Sequence, residues 1–153
     1  MGYYVQKGTT KIRWLTSPPA TLSAPTVAEI NAGVNLDSLL NNVAGLTALA
    51  QFIDASVLAD RVDAKISGTQ QLADTTLTFL DSNSTTVVRT ALLTSGTAGY
   101  LIVCPLGIGS TRRCRTWPAE TAGLNDVITV ENAPAKFTVG FGITLAPTDG
   151  TIA

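Results

Sequence analysis

Two cysteines, Cys104 and Cys114, and a cluster of three arginines, Arg112, Arg113 and Arg115, are the residues from which chemistry would have to be built. The chain holds no histidine. Cys104 therefore lacks the imidazole that would activate it as a nucleophile. Structural zinc sites draw four ligands from Cys and His at short spacings, and two cysteines alone do not supply them. Sequence spacing does not fix whether the two thiols bond, because disulfide geometry is specific. Two free, buried thiols is the reading that fits a protein made inside a cell. The acids, among them Asp54, Asp60, Asp63, Asp74, Asp81, Glu120, Asp126 and Glu131, are scattered and form no recognisable pair. "GIGS" at 107–110 is too short for a dinucleotide-binding pattern and has no lysine behind it, so it reads as a hairpin turn. No EF-hand calcium loop is present. The sequence thus supplies no catalytic, cofactor-binding or metal-binding residues.

Composition narrows the class further. Charged residues make up 14% of the 153-residue chain, against a typical value of about 25%, while hydrophobic residues make up 45%. A free-standing monomer needs more charge to cover its surface. Burial against other subunits explains the deficit, and a membrane would too. The membrane alternative lacks any uncharged apolar run of about 18 residues; the most apolar stretch, "GYLIVCPLGIG", is shorter and contains Pro105. No signal peptide is expected from "MGYYVQKGTTKIRW", and Gln6 breaks the myristoylation pattern after Gly2. A net charge of −1, from 10 basic and 11 acidic residues, lacks the basic excess of a nucleic-acid binder. The arginine cluster reads instead as a solvated strand end or an intersubunit ion-pair site.

The elements that must position these residues are mainly strands. "TTKIRWLT" at 9–16 sets Ile12 and Trp14 on one face and Lys11, Arg13 and Leu15 on the other. "SPPATLSAPT" breaks regular structure with three prolines and predicts an extended loop over 17–25. Thr26 followed by Glu29 has capping-box spacing for a short helix stopped at Gly33. Residues 37–50 place Leu39, Leu40, Val43, Leu46 and Leu49 at helical spacing, but Gly45 and Asn41-Asn42 weaken a helix, so the stretch is expected as loop or short helix. "QFID" predicts a short strand, "ASVLADRVD" a helical turn or irregular segment, and "VDAKISG" a strand. "DTTLTFLD" alternates Leu77 and Phe79 with threonines. Ser82, Asn83 and Ser84 offer a turn and an N-cap for a helix over 85–94, striped by Val87, Val88, Ala91 and Leu92 and ended by Gly96. "GYLIVC" predicts a strand buried on both sides. A further strand is expected around 113–121, with another or an edge in "VITVENA". In "AKFTVGFGITLAP" Phe137, Val139, Phe141, Ile143 and Leu145 alternate with Lys136, Thr138, Gly140, Gly142 and Thr144, a face small and uncharged beyond Lys136 that admits close approach of a backbone or a subunit. "PTDGTIA" reads as a short tail, and no domain boundary appears within 1–153.

Three segments, "APTVAEINAGVNL", "FIDASVLADRVDAKISGTQQLADTTLTF" and "VVRTALLTSGTAGYLIV" followed by "FTVGFGITLAP", resemble the major tail proteins, or tail tube proteins, of long-tailed, siphovirus-like bacteriophages, the actinophage type in particular. The resemblance implies a mainly β fold: an antiparallel β-sandwich with a flanking α-helix, whose hairpins join between subunits into a tube-lining β-barrel. It implies a single tail-tube domain with an extended N-terminal segment and loops at about 17–25 and 37–50. It implies a virion structural protein, assembled in the host cytoplasm into stacked rings of six, with no enzymatic activity. Expected partners are copies of itself, a tape measure protein and a tail terminator. Genomic DNA would pass through the lumen without specific binding, and no membrane is involved. A basic lining would hold the phosphates, so a neutral to acidic one is expected. Possible subunit contacts are Arg112, Arg113, Arg115, Leu39, Leu40, Val43 and Leu46, with the 17–25 loop and both termini. The competing readings are another tail component, such as a terminator or the tube of a contractile system, and a soluble β-sandwich binding module presenting Trp14 or Trp117 in a groove.

Overall fold

The computed structural model describes residues 3, 5–55, 65–82 and 87–153. Along the chain these form β1 (Lys11–Leu15), α1 (Val27–Ala32), β2 (Val34–Asn35), β3 (Leu40–Ala44), β4 (Ala48–Asp54), β5 (Lys65–Leu72), β6 (Thr75–Leu80), α2 (Val87–Leu92), β7 (Ala98–Cys104), β8 (Arg113–Val127), β9 (Lys136–Ile143) and β10 (Thr148–Thr151). The main sheet is antiparallel in the order β2-β1-β7-β8-β9-β6-β3, with β10 also on β8, while among the described residues β4 and β5 pair only with each other.

β8 spans 15 residues and belongs to two half-sheets. Tyr100 to Val103 pair with Pro118 to Arg115 on one side, β10 pairs with Arg113 to Thr116, and β9 takes over from Ala119 onward. The register shifts between Thr121 and Gly123, and Gly123 sits at φ +126, a conformation L side chains rarely adopt. Such a bulge bends the strand and sharpens its twist. The two half-sheets thereby close over one core, giving a β-sandwich-like fold. That core joins Ile12, Trp14, Leu101 and Trp117 from one half to Leu77, Phe79, Phe137, Val139 and Phe141 from the other, with Val88 and Leu92 of α2 added. Trp14 meets Phe141 across it at 5.2 Å between ring centroids, and Phe79 stacks on Phe137 at the same separation. Alternation in β6 and β9 produces these inward rows.

The outer face of β1 and β7 carries a second cluster: Leu15, Ile102, Cys104 and Cys114, covered by Ile30 of α1 and by Ile152. This is why β7 is apolar on both faces. The capping box forms as expected: the Glu29 amide donates to the Thr26 hydroxyl at 3.2 Å and the Thr26 amide to the Glu29 carboxylate at 2.8 Å. The same carboxylate accepts from the Ala20 amide at 2.8 Å, which ties the proline-rich loop to the helix.

Four expectations change. Residues 37–50 are neither loop nor helix: β3 and the start of β4 occupy them. A bulge between Leu40 and Asn42 sets both Leu40 and Val43 opposite inward residues, Phe79 and Leu77, so the three-residue spacing that imitates a helical stripe comes from an interrupted strand. The C-terminal segment is no tail, because β10 pairs with β8 and Ile152 is buried. The second helix is described only over 87–92, with Val87 exposed; residues 83–86, at its expected start, lie outside the described residues, as do 56–63 of the "ASVLADRVD" segment. Finally, β8 itself runs through Val127, and 128–135 form no further strand.

Because Ile152 seals the second cluster, Ile152→Ala should cost about 2–5 kcal/mol. Chemical denaturation with an unchanged m-value checks this; a loss under about 0.5 kcal/mol, the range of surface substitutions, would return the segment to the status of a tail.

Candidate assembly surface

The β4–β5 hairpin stands off the body. Its strands pair from Ala48↔Leu72 to Asp54↔Lys65, and among the described residues they make almost no contact with other elements beyond the root. Leu49 is 72% exposed, Phe52 71%, Ile53 54% and Ile66 56%. Ile53 and Ile66 are directly opposed, and a Cβ at Gly68 would come within 2.9 Å of the Ile53 side chain, so the glycine leaves room for it. The only charges on the two strands are Asp54 and Lys65, paired at one end. An isolated two-stranded hairpin is marginal in water, and uncharged strand edges invite pairing with another chain. Ile128 and Val130, past the end of β8, are also almost wholly exposed. In total the chain exposes 9499 Å², whereas a compact monomer of this mass exposes about 7,400 Å².

The outward face of the β3-β6-β9-β8 half-sheet is different in kind. One register row across it reads Asn42, Thr78, Thr138, Asn125, and the next reads Ala44, Thr76, Gly140, Gly123. Both rows are small and carry no formal charge. Lys136, in the row beside Leu80 and Val127, marks one end.

The residues singled out in the sequence fall into three groups. Leu39, Leu40 and Leu46 pack partly into the main core, whereas Val43 is 37% exposed on the edge strand β3. Arg112 folds back on its own turn, donating to the Leu106 carbonyl at 2.7 Å. Arg115 forms a two-pronged pair with Asp149, Nη2 to Oδ2 at 2.8 Å, and its guanidinium lies 5.9 Å from the Trp117 ring centroid. Arg113 and Arg115 line, with Leu46, Pro105 and Asp149, a cleft of about 430 Å³. The 17–25 loop is fastened to its own chain: the Thr116 hydroxyl donates to the Leu22 carbonyl at 3.2 Å and the Thr151 amide to the Ser23 carbonyl at 3.1 Å. Trp14 and Trp117 are buried in the core, so neither forms the exposed aromatic platform of a binding module. Among the described residues, no group of three or more His, Cys, Asp or Glu is arranged to hold a metal ion, and no helix is long and apolar enough to cross a membrane.

The hairpin and the 128–130 segment escaped the sequence reading. "QFID" and the "KISG" of "VDAKISG" do form strands, but nothing in their pattern says that they pair with each other away from the main sheet. The lack of charge between Ala48 and Ile53 and between Ile66 and Leu72 is the one signal that marks them.

Comparison with known proteins gives a family and a fold. A family model described as phage tail tube protein matches residues 3–153. A chain from the sheath/tube terminator of the PVC extracellular contractile injection system, in its extended state, superposes with a TM-score of 0.65 at 12% identity, covering 98% of this chain and 99% of that one. A chain from the anti-feeding prophage baseplate gives 0.63 at 10% identity, with 97% of each chain covered. One from the PVC sheath-tube complex gives 0.61 at 12% identity, covering 97% and 93%. No curated protein matches the sequence at a significant level.

The charged groups on this surface set its response to acid. Arg89 donates to Asp126 at 3.0 Å and holds its carboxyl below the usual range; Arg115 does the same to Asp149. Amide and hydroxyl donors from Ala20 and Thr26 lower Glu29. Each lowered carboxylate adds stability above its unfolded pKa and loses it as pH falls through its folded value. With no histidine present, thermal midpoints should stay level from about pH 5 to 8 and fall below about pH 4. A drop between pH 7 and 6 would contradict this.

Proposed function

The chain belongs to the phage tail tube protein family, a structural component of the virion tail, and we propose that its copies close into rings of six that stack into the tube through which DNA leaves the particle. The β4–β5 hairpin carries this reading. It exposes Leu49, Phe52, Ile53 and Ile66 and leaves strand edges without charged guards, which suits edge-to-edge addition to the next copy. A heterologous contact of this kind closes into a ring or continues as a helical tube.

On the same reading the uncharged rows across β3, β6, β9 and β8 face the lumen. Duplex DNA carries a charge every ~1.7 Å of its length, and a wall with lysine or arginine along it would bind phosphates and retard passage. Side chains such as Asn42, Thr78, Thr138 and Asn125 wet the surface without holding an anion. The arginines do not break this pattern, since Arg112 and Arg115 are engaged within their own chain. Tape measure and terminator proteins are the further partners this role requires. A tube of a long, non-contractile tail is the first reading. A tube inside a contractile sheath is the second, supported by the fold likeness to contractile injection systems; imaging the virion for a sheath separates them.

Negative-stain microscopy of the purified chain should show rings or tubes. The double variant Phe52→Asp with Ile53→Asp should remain monomeric, with a thermal midpoint within roughly 3 °C of the parent, since both residues are exposed. Normal tubes from that variant would remove the hairpin from the interface.

Thiol labelling of Thr138→Cys tubes tests the lining, scored against parent tubes treated alike so that any reaction of Cys104 or Cys114 is subtracted. A small maleimide should react and a polymer-linked one should not. Reaction with both would turn the face outward, and reaction with neither would place it between subunits.

A further inference from the structure

The two cysteines of the β7–β8 hairpin lie closer than their ten-residue separation in the sequence suggests. Val103 and Arg115 are the last paired residues of that ladder, and one step further along both strands stand Cys104 and Cys114. Both side chains belong to the cluster on the outer face, so they project to the same side of the sheet. Directly opposed residues of an antiparallel pair have Cα atoms about 4.5–5.5 Å apart, within the range a disulfide spans. Both thiols are free in the structure. Cys114 is the less enclosed of the two, 4% exposed against 0% for Cys104, and is the first that a small reagent reaches.

We propose that Cys104 and Cys114 are a reversible dithiol pair, which a low-molecular-weight disulfide oxidises to an intrachain bond through Cys114. The Cys114 thiolate attacks one sulfur of the reagent and releases the first small thiol. The Cys104 thiolate then attacks the Cys114 sulfur of the mixed disulfide and releases the second. The two cysteines lose two protons and two electrons, and the reagent is reduced to two thiols. The bond closes the turn over 105–113 and braces Cys114, whose strand also carries β10 through the Gly150 pairing. Burial pushes the Cys104 thiol up to about 11, with the neighbouring Cys114 adding to it, and burial also raises Cys114. The exchange is therefore slow at neutral pH and quickens as pH rises. Its timing rests on the tail-tube reading: a chain made in a reducing cytosol would keep both thiols, and a released particle would meet oxidising conditions.

The test exposes the purified full chain to oxidised glutathione at about pH 8, with intact mass and peptide mapping as readouts. The parent should lose two hydrogens and yield a peptide linked through Cys104 and Cys114. Its thermal midpoint should rise by about 5 °C and return with dithiothreitol. Cys104→Ser should stop at a glutathione adduct on Cys114, and Cys114→Ser should stay unmodified. A lasting adduct on the parent, chain-to-chain dimers, or no reaction in the folded state would each overturn the proposal. Tube formation is scored on the same sample before oxidation, so a linked pair in a chain that never forms tubes would refute the tail reading alone.

Discussion

Hydrogen bonding along β8 is the constraint on which the rest of the molecule depends. The strand satisfies β7 and β10 with its first half and β9 with its second, and it makes that change at a bulge where Gly123 adopts a conformation costly for other residues. Without the bend the two half-sheets would lie in one plane, and Trp14 would have no Phe141 to meet. With it, a chain of few aromatics closes a core that buries Trp14, Trp117, Phe79, Phe137 and Phe141 and leaves Phe52 exposed on the protruding hairpin. The helices are secondary to this arrangement. Each is six residues long, too short to persist alone, and each is held by a cap or by the face it covers.

A second consequence of the same architecture is the way charge is used. The few ionic groups with described partners mostly stitch distant segments of one chain together: Lys11 to Asp37, Arg89 to Asp81 and Asp126, Arg115 to Asp149. Exposed pairs of this kind add little to stability. Their effect is to leave extended areas of strand surface neutral, on the hairpin and on the outward rows of the second half-sheet. Strand surface without charged residues invites pairing with another chain.

Much of the body was readable from residue order. The alternation in β1, β6 and β9, the doubly apolar β7 and the capping box at Thr26 and Glu29 all follow from side-chain type and period. Three features were hidden, each for a physical reason. β3 was masked by its bulge, because one skipped residue turns a two-residue period into a three-residue one. β10 was masked because "TDGT" has neither apolar alternation nor bulk; its place is set by β8 and by Gly150, where any Cβ would overlap the Ser23 carbonyl. The isolation of the β4–β5 hairpin was masked because pairing partners are a tertiary choice, not a local one. Of the residues named as contacts in advance, Leu39, Leu40 and Leu46 pack against the chain's own core, which sequence spacing does not reveal.

The hairpin has one more implication. An element that gains almost nothing from its own body is ordered chiefly by whatever it joins, so its free energy of ordering is charged to association. On the proposed assembly, the first few copies to meet must each order a hairpin before any edge is fully satisfied, whereas every later arrival finds a template already in place. Growth from a seed is thus favoured over spontaneous nucleation, and elongation can begin where a pre-formed platform presents complementary edges rather than at random in solution.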